Sequence, residues 1–149
     1  MKVSGIVCEY NPFHRGHEYH IAETRRRLGA DGGIVCVMSG NFVQRGDAAI
    51  MEKHLRAADA VRGGADLVLG LPAAASLSSA EGFAEGAVQL LGYAGAEYIS
   101  FGSECGDAAA LKKAAEALQT EKCESLLRYH LEGGISFAEA RQKALSEAA

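Results

Sequence analysis

Two histidines spaced three apart around a glycine, His14 and His17 in "FHRGHEYH", can turn both imidazoles toward one ligand if they stand at the start of a helix. Such a position already supplies free backbone N–H groups and the positive end of the helix dipole, both of which favour an anion. The chemistry is electrostatic: ring N–H groups donate hydrogen bonds to phosphoryl oxygens as charge builds there, without a covalent intermediate. Gly16 leaves room for a ligand to approach the backbone. A metal pair is the weaker reading, because no well-placed third ligand accompanies the two histidines.

The motif follows directly on the apolar run "VSGIVC", which places it at the end of a buried strand. Asn11-Pro12 turns the chain there, since Pro12 fixes its own φ and disfavours helix at Asn11. The helix then begins near Gly16 as "HEYHIAETRRRL". No G-x-G-x-x-G follows the strand and no G-x-x-x-x-G-K-[ST] occurs, which ranks dinucleotide dehydrogenases and P-loop NTPases low. Nothing in the chain spells out a covalent nucleophile with its base.

Similar apolar runs start at Lys2, Gly33, Ala65 and Glu97, a spacing of about 32 residues without internal sequence similarity. Each run is continuously apolar, as in parallel strands buried on both faces. The stretches between read as helices. Met51, Leu55, Ala58 and Val61 form one face after Ile50, with Glu52, Lys53, Arg56 and Asp59 opposite. Ser78 with Glu81 makes a capping box before a helix lined by Phe83, Ala87, Leu90 and Leu91. Asp107 caps a helix holding Leu111, Ala115 and Leu118, another surrounds Leu126, Leu127 and Leu131, and Ser136 with Glu139 opens a last one through Phe137, Ala140 and Ala144. Alternating strand and helix with right-handed crossovers predicts an α/β fold, a Rossmann-like doubly wound parallel sheet with a helical C-terminal end. Residues 1–107 read as the core and 108–149 as a helical continuation of the same domain. The Ala-rich end supplies no strand and no domain boundary, so the protein is expected to continue.

Other residues carry plainer readings. Glu9 is a solvated strand-end acid and His20, His54 and His130 are helix-surface histidines. Lys53 and Arg56 lie by default on a solvated helix face but could line the site's cleft, and "TRRRL" from Thr24 is an exposed basic run that could also touch tRNA. Gln44 and Arg45, in a loop overhanging the site, suit phosphate, and Ser103 at the fourth strand's end can bond one. Cys8 and Cys36 are core residues, and the four cysteines form no C-x-x-C pair. A net charge of −4 argues against broad, sequence-independent nucleic-acid binding. With neither a signal segment nor a membrane-length apolar run, the sequence reads as cytosolic.

"GIVCEYNPFHRGHEYH", "MSGNFVQRGDAAI", "GADLVLGLP", "SSAEGFAEGAVQLL" and "FGSE", in this order over residues 3 to 107, resemble the bacterial tRNA(Met) cytidine acetate ligase family within the H-x-G-H nucleotidyltransferase superfamily. The resemblance implies activation of acetate by ATP to acetyl-adenylate, then acetylation of N4 of the wobble cytidine of elongator tRNA(Met). Matched position by position, it implies ATP contacts along Val7, Cys8, Glu9, Tyr10, Asn11, Pro12, Phe13, His14, Arg15, Gly16, His17, Glu18, Tyr19 and His20, and at Gly102. Mg²⁺ is implied with ATP, and no protein residue is assigned to it. Where the family has an acid before Leu-Pro, this chain has Gly70. The family's remaining ATP-contacting residues and its tRNA-binding region would lie beyond Ala149.

Two other readings stand beside this one. An adenylyl- or cytidylyltransferase acting on a small phosphate ester needs a basic acceptor pocket where acetate needs a small closed one. A non-catalytic nucleotide- or RNA-binding module would keep the fold without turnover.

Overall fold

The computed structural model describes residues 1–148, which divide after Gly102 into two compact units. In the first unit the strands β1 (Val3–Cys8), β2 (Gly33–Ser39), β3 (Leu67–Leu71) and β4 (Tyr98–Ile99) alternate with the helices α1 (Arg15–Leu28), α2 (Lys53–Arg62), α3 (Ala73–Ser76) and α4 (Ala80–Tyr93). All pairings are parallel and the order is β3-β2-β1-β4. The chain walks outward from β1 to β3, then crosses back to the other side of β1. That reversal puts a topological switch point at the carboxyl ends of β1 and β4, where open α/β sheets bind ligands.

β2 is buried along its whole length, and its alternation feeds two cores. Ile34, Cys36 and Met38 pack with Ile21 of α1 and Ala60 of α2 on one face, while Val35 and Val37 pack with Ala87 and Leu91 of α4 on the other. The expectation of two-sided burial fails at the sheet edges. Leu67, Tyr98 and Ile99 are nearly half exposed, because an edge strand lacks the neighbour that would cover it. β4 is also shorter than its apolar run, since pairing to β1 ends once Ser100 N–H donates to Gly5 O at 2.8 Å.

Gly5 is required by the β1–α4 contact. A Cβ there would meet the Leu91 side chain at 2.5 Å. Gly5→Ala is therefore expected to lower unfolding free energy by about 1–3 kcal/mol, the usual range for overpacking a filled core. A denaturant midpoint equal to the parent's would contradict that packing.

Two helices differ from expectation. α2 buries Arg56 and Ala60 and leaves Leu55 and Val61 about half exposed, the reverse of the predicted faces. The cap of α4 is Ser79, whose Oγ accepts from Gly82 N–H, while Ser78 Oγ donates back to the Ala75 carbonyl. The basic run on α1 is consumed locally. Arg25 donates to the Gly32 and Gly64 carbonyls and to Asp66. Arg26 and Arg27 both bind Glu23, and their hydrogen bonds push its carboxyl down to about 2.

The second unit holds α5 (Ala108–Leu118), α6 (Glu121–Glu132) and α7 (Phe137–Ala148). Asp107, Thr120 and Ser136 cap their amino ends, and Cys123, Ala140 and Ala144 are buried. His130 is not a surface histidine: its side chain is 15% exposed and its Nε2 lies 3.0 Å from Glu147. No described helix is long and apolar enough to cross a membrane.

Candidate nucleotide site

The chain leaves β1 through a strained turn. Tyr10 has φ of 48°, in the left-handed region that costs a non-glycine residue about 1–2 kcal/mol. Burial of its ring offsets the strain: the ring packs edge-on to Phe13 at 5.0 Å and against His17 at 4.8 Å, with its hydroxyl 3.5 Å from Cys36 Sγ. Burial, and then the nearby thiols, push the phenol well above its usual value, so it stays neutral. Asn11-Pro12 is cis, which the sequence did not announce.

His14 stands at the N-cap of α1 and not on its first turn. Its Nδ1 accepts from Gly16 N–H at 3.1 Å, and its own N–H donates to His17 Nδ1 at 3.3 Å. This is a reciprocal capping box built from two histidines in place of the usual Ser and Glu. Its consequence is tautomeric. With both Nδ1 atoms accepting, each neutral ring carries its proton on Nε2, available as a donor. The rings stack with centroids 3.6 Å apart. Burial, and then the charges of His14 and His20, hold His17 below the ordinary histidine value. Two aligned Nε2–H donors beside a helix amino-terminus form a cradle for an anion.

Around the cradle the sequence-derived residues separate by role. Val7 and Cys8 are strand residues whose side chains pack into the two cores. Glu9 is not a free solvated acid: its Oε1 accepts from Gln44 N–H at 2.7 Å, and Asn11 Oδ1 accepts from Ile50 N–H at 2.8 Å. These two side chains fasten the loop after β2 to the end of β1. That loop folds as a small hairpin, bridged at Phe42 and Ala48 and turning at Gly46 with φ of 88°, and it carries Arg45 exposed near its tip. Pro12, Arg15, Glu18 and Tyr19 are exposed, and His54 lies on the surface as expected. Gly102 ends the unit in open space, with no heavy atom within 4 Å of where a Cβ would stand. Ser103 belongs to the second unit, where its Oγ accepts from Gly106 N–H.

Two residues of this end of the sheet take roles the sequence did not assign: Arg56 was read on a solvated face or lining the cleft, and Ser100 was not singled out. Arg56 is fully buried and donates to the carbonyls of Glu9, Ser39, Gly40 and Met51, clamping the ends of β1 and β2 and both ends of the hairpin loop. Ser100, at the end of β4, bonds His20 at 2.9 Å, so His20 is half-buried and not a surface histidine. Arg56 gave no local signal. Ser100 could have been flagged by its place just before "FGSE".

His17 and His20 both titrate below 6.5, His20 through burial. Between that value and their lower folded values the unfolded chain binds more protons than the folded one, so stability is intact above it and falls with acidification. The unfolding midpoint is expected to drop between about pH 7 and pH 5.5, and His17→Gln with His20→Gln to flatten that slope. An unchanged slope would count against the two histidines as its source.

The fold is an open parallel α/β domain that carries its histidine pair at the carboxyl end of β1, beside the switch point. The chain belongs to the HIGH nucleotidyl transferase family, whose model matches residues 1–149. It is 48% identical to the tRNA(Met) cytidine acetate ligase of Acetivibrio thermocellus and 49% identical to that of Clostridium novyi, over 99% of this chain and 36% and 37% of theirs. The crystal structure of Thermotoga maritima TmcAL bound with alpha-thio ATP matches with a TM-score of 0.89 at 44% identity, covering 97% of this chain and 36% of that one. The chain thus spans little more than a third of the length of these relatives.

Proposed function

We propose that this chain is the ATP-binding part of a tRNA(Met) cytidine acetate ligase, which activates acetate to acetyl-adenylate and transfers the acetyl group to N4 of the wobble cytidine. The observation that carries the reading is the His14–His17 capping box, which aims two Nε2–H donors beside the amino end of α1. Similarity to ligases of that name and to an ATP-analogue complex supports it.

In this reading a carboxylate oxygen of acetate attacks the α-phosphorus, the bond to pyrophosphate breaks, and acetyl-adenylate remains. Acetate is already ionised at neutral pH, so no general base is needed. His14 and His17 stabilise negative charge on the phosphoryl oxygens, which grows toward the transition state. The substrate is ATP with its Mg²⁺, which is carried mainly by phosphate oxygens and water. The described residues include no group of three or more His, Cys, Asp or Glu able to hold a metal by themselves. The cytidine amine then attacks the acetyl carbon, releasing AMP and losing a proton. Gly102 contributes backbone beside the nucleotide, and Gln44, Arg45 and Ser103 are assigned to the substrate side. The use of ATP and tRNA places the reaction in the cytoplasm. The helical second unit is read as a continuation of the catalytic domain.

The test is ATP–pyrophosphate exchange with Mg²⁺, with acetate and with a panel of small acids, on this chain and on a chain of the relatives' length. Acetate-dependent exchange supports the ligase. Its absence from the longer chain with every acid overturns acyl-adenylate formation and favours a transferase acting on a phosphate ester.

A further inference from the structure

β4 is held to the sheet by little. It pairs with β1 only at Ser4 with Tyr98 and Gly5 with Ile99, and Ser100 N–H is its last backbone bond. Beyond it Phe101 and Gly102 are exposed. At that last anchored residue a chain of three side chains ties β4 to α1. Thr24 is buried, its hydroxyl donates to the His20 carbonyl at 2.8 Å, and its oxygen lies 2.6 Å from Ser100 Oγ. Thr24 has one hydroxyl proton and has placed it, so Ser100 donates to Thr24. Ser100 has then placed its own proton, and it must accept from His20 Nε2–H. Every proton in the chain has one direction. A hydrogen-bond chain so determined fixes a single geometry, where apolar packing would permit sliding.

The two elements it joins flank the switch point at the carboxyl ends of β1 and β4, where open α/β sheets bind ligands. One is the helix whose amino end carries His14 and His17, and the other is the strand that delivers Gly102. We propose that His20 and Ser100 are positioning residues for the nucleotide, setting the distance between the histidine cradle and the Gly102 backbone so that one ligand can touch both. The inference rests on the nucleotide-binding reading above and adds to it how the crevice width is fixed. It gives His20 a role through Ser100, distinct from direct contact with the ligand.

Calorimetric titration of ATP with Mg²⁺ into a chain of the relatives' length and into its variants tests this, with thermal unfolding measured in parallel. Ser100→Ala and His20→Ala are each expected to weaken ATP binding about tenfold, since small misplacements of binding groups are costly. The double variant is expected to bind no more weakly than either single one, because both cut the same link. His20→Gln, whose amide N–H can stand in for Nε2–H, is expected to recover affinity to within about threefold of the parent. Variants that lose thermal stability but bind ATP like the parent overturn the positioning role and leave a structural one, as do effects of the two substitutions that simply add. Parent protein that binds no ATP overturns the nucleotide reading itself, and the inference with it.

Discussion

Replacing His17 with alanine is expected to lower acetate-dependent ATP–pyrophosphate exchange by about 100- to 1,000-fold, the range found when one preorganised donor to a developing oxyanion is removed. The ring also accepts the His14 N–H and packs against Tyr10 and His14, so some loss of stability accompanies the loss of exchange. His14 needs a different experiment, because it is both donor and N-cap. His14→Ala removes the acceptor for Gly16 N–H and is expected to cost about 1 kcal/mol of stability besides its activity. His14→Asn keeps a capping oxygen while deleting Nε2–H, so the unfolding midpoint should stay near the parent's while exchange still collapses. Exchange that survives in both His17→Ala and His14→Asn would remove the cradle from the mechanism.

Arg56→Met is expected to destabilise the first unit by roughly 3 kcal/mol, the cost of leaving several buried carbonyls without donors. Four carbonyls converge on this guanidinium, from Glu9, Ser39, Gly40 and Met51. Burial pushes this guanidinium below its ordinary value, and the negative charges of Glu9 and Glu52 oppose that only in part. Methionine fills much of the volume, so the loss reports the hydrogen bonds and not a cavity. Arg56→Lys is not expected to rescue, because one ammonium cannot reproduce the planar fork of donors. A denaturant titration showing the methionine variant within about 0.5 kcal/mol of the parent, the scatter typical of surface substitutions, would overturn the clamp. The hairpin loop should be the first segment to exchange its amides in the variant, since Arg56 holds it at both ends.

The same arginine shows where reading the sequence stops. Helical periodicity puts a charged residue on the wet side, and Arg56 between Leu55 and Ala57 looks like every other solvated position. Its four acceptors come from four places in the chain, and no local pattern encodes their convergence. His20 and Ser100 are eighty positions apart, so their hydrogen bond is equally silent even though Ser100 stands just before "FGSE". All four strands were legible as apolar runs, but the same kind of run serves the buried centre, β1 and β2, and the half-exposed edges, β3 and β4, so edge position was not. The place of the histidine motif, between the end of β1 and the start of α1, was legible. The tautomers were not, because they follow from Nδ1 contacts that only the folded turn creates.

The strand order has a consequence for how the site comes into being. β1 meets β2 early in the chain, as Val3 with Gly33, but its other edge waits for Tyr98 and Ile99. Contacts so distant in sequence form late, after a long loop has been closed. During synthesis from the amino end, β1 to β3 can pair while the other edge of β1 stays bare, the kind of edge that invites wrong partners. The crevice does not exist until nearly the whole unit has been made. On the proposed reading, a nucleotide touching both α1 and Gly102 would bind only the completed form, and by mass action it would draw the newborn chain toward that form. ATP would thus guard the growing protein against misassembly before it ever serves as substrate.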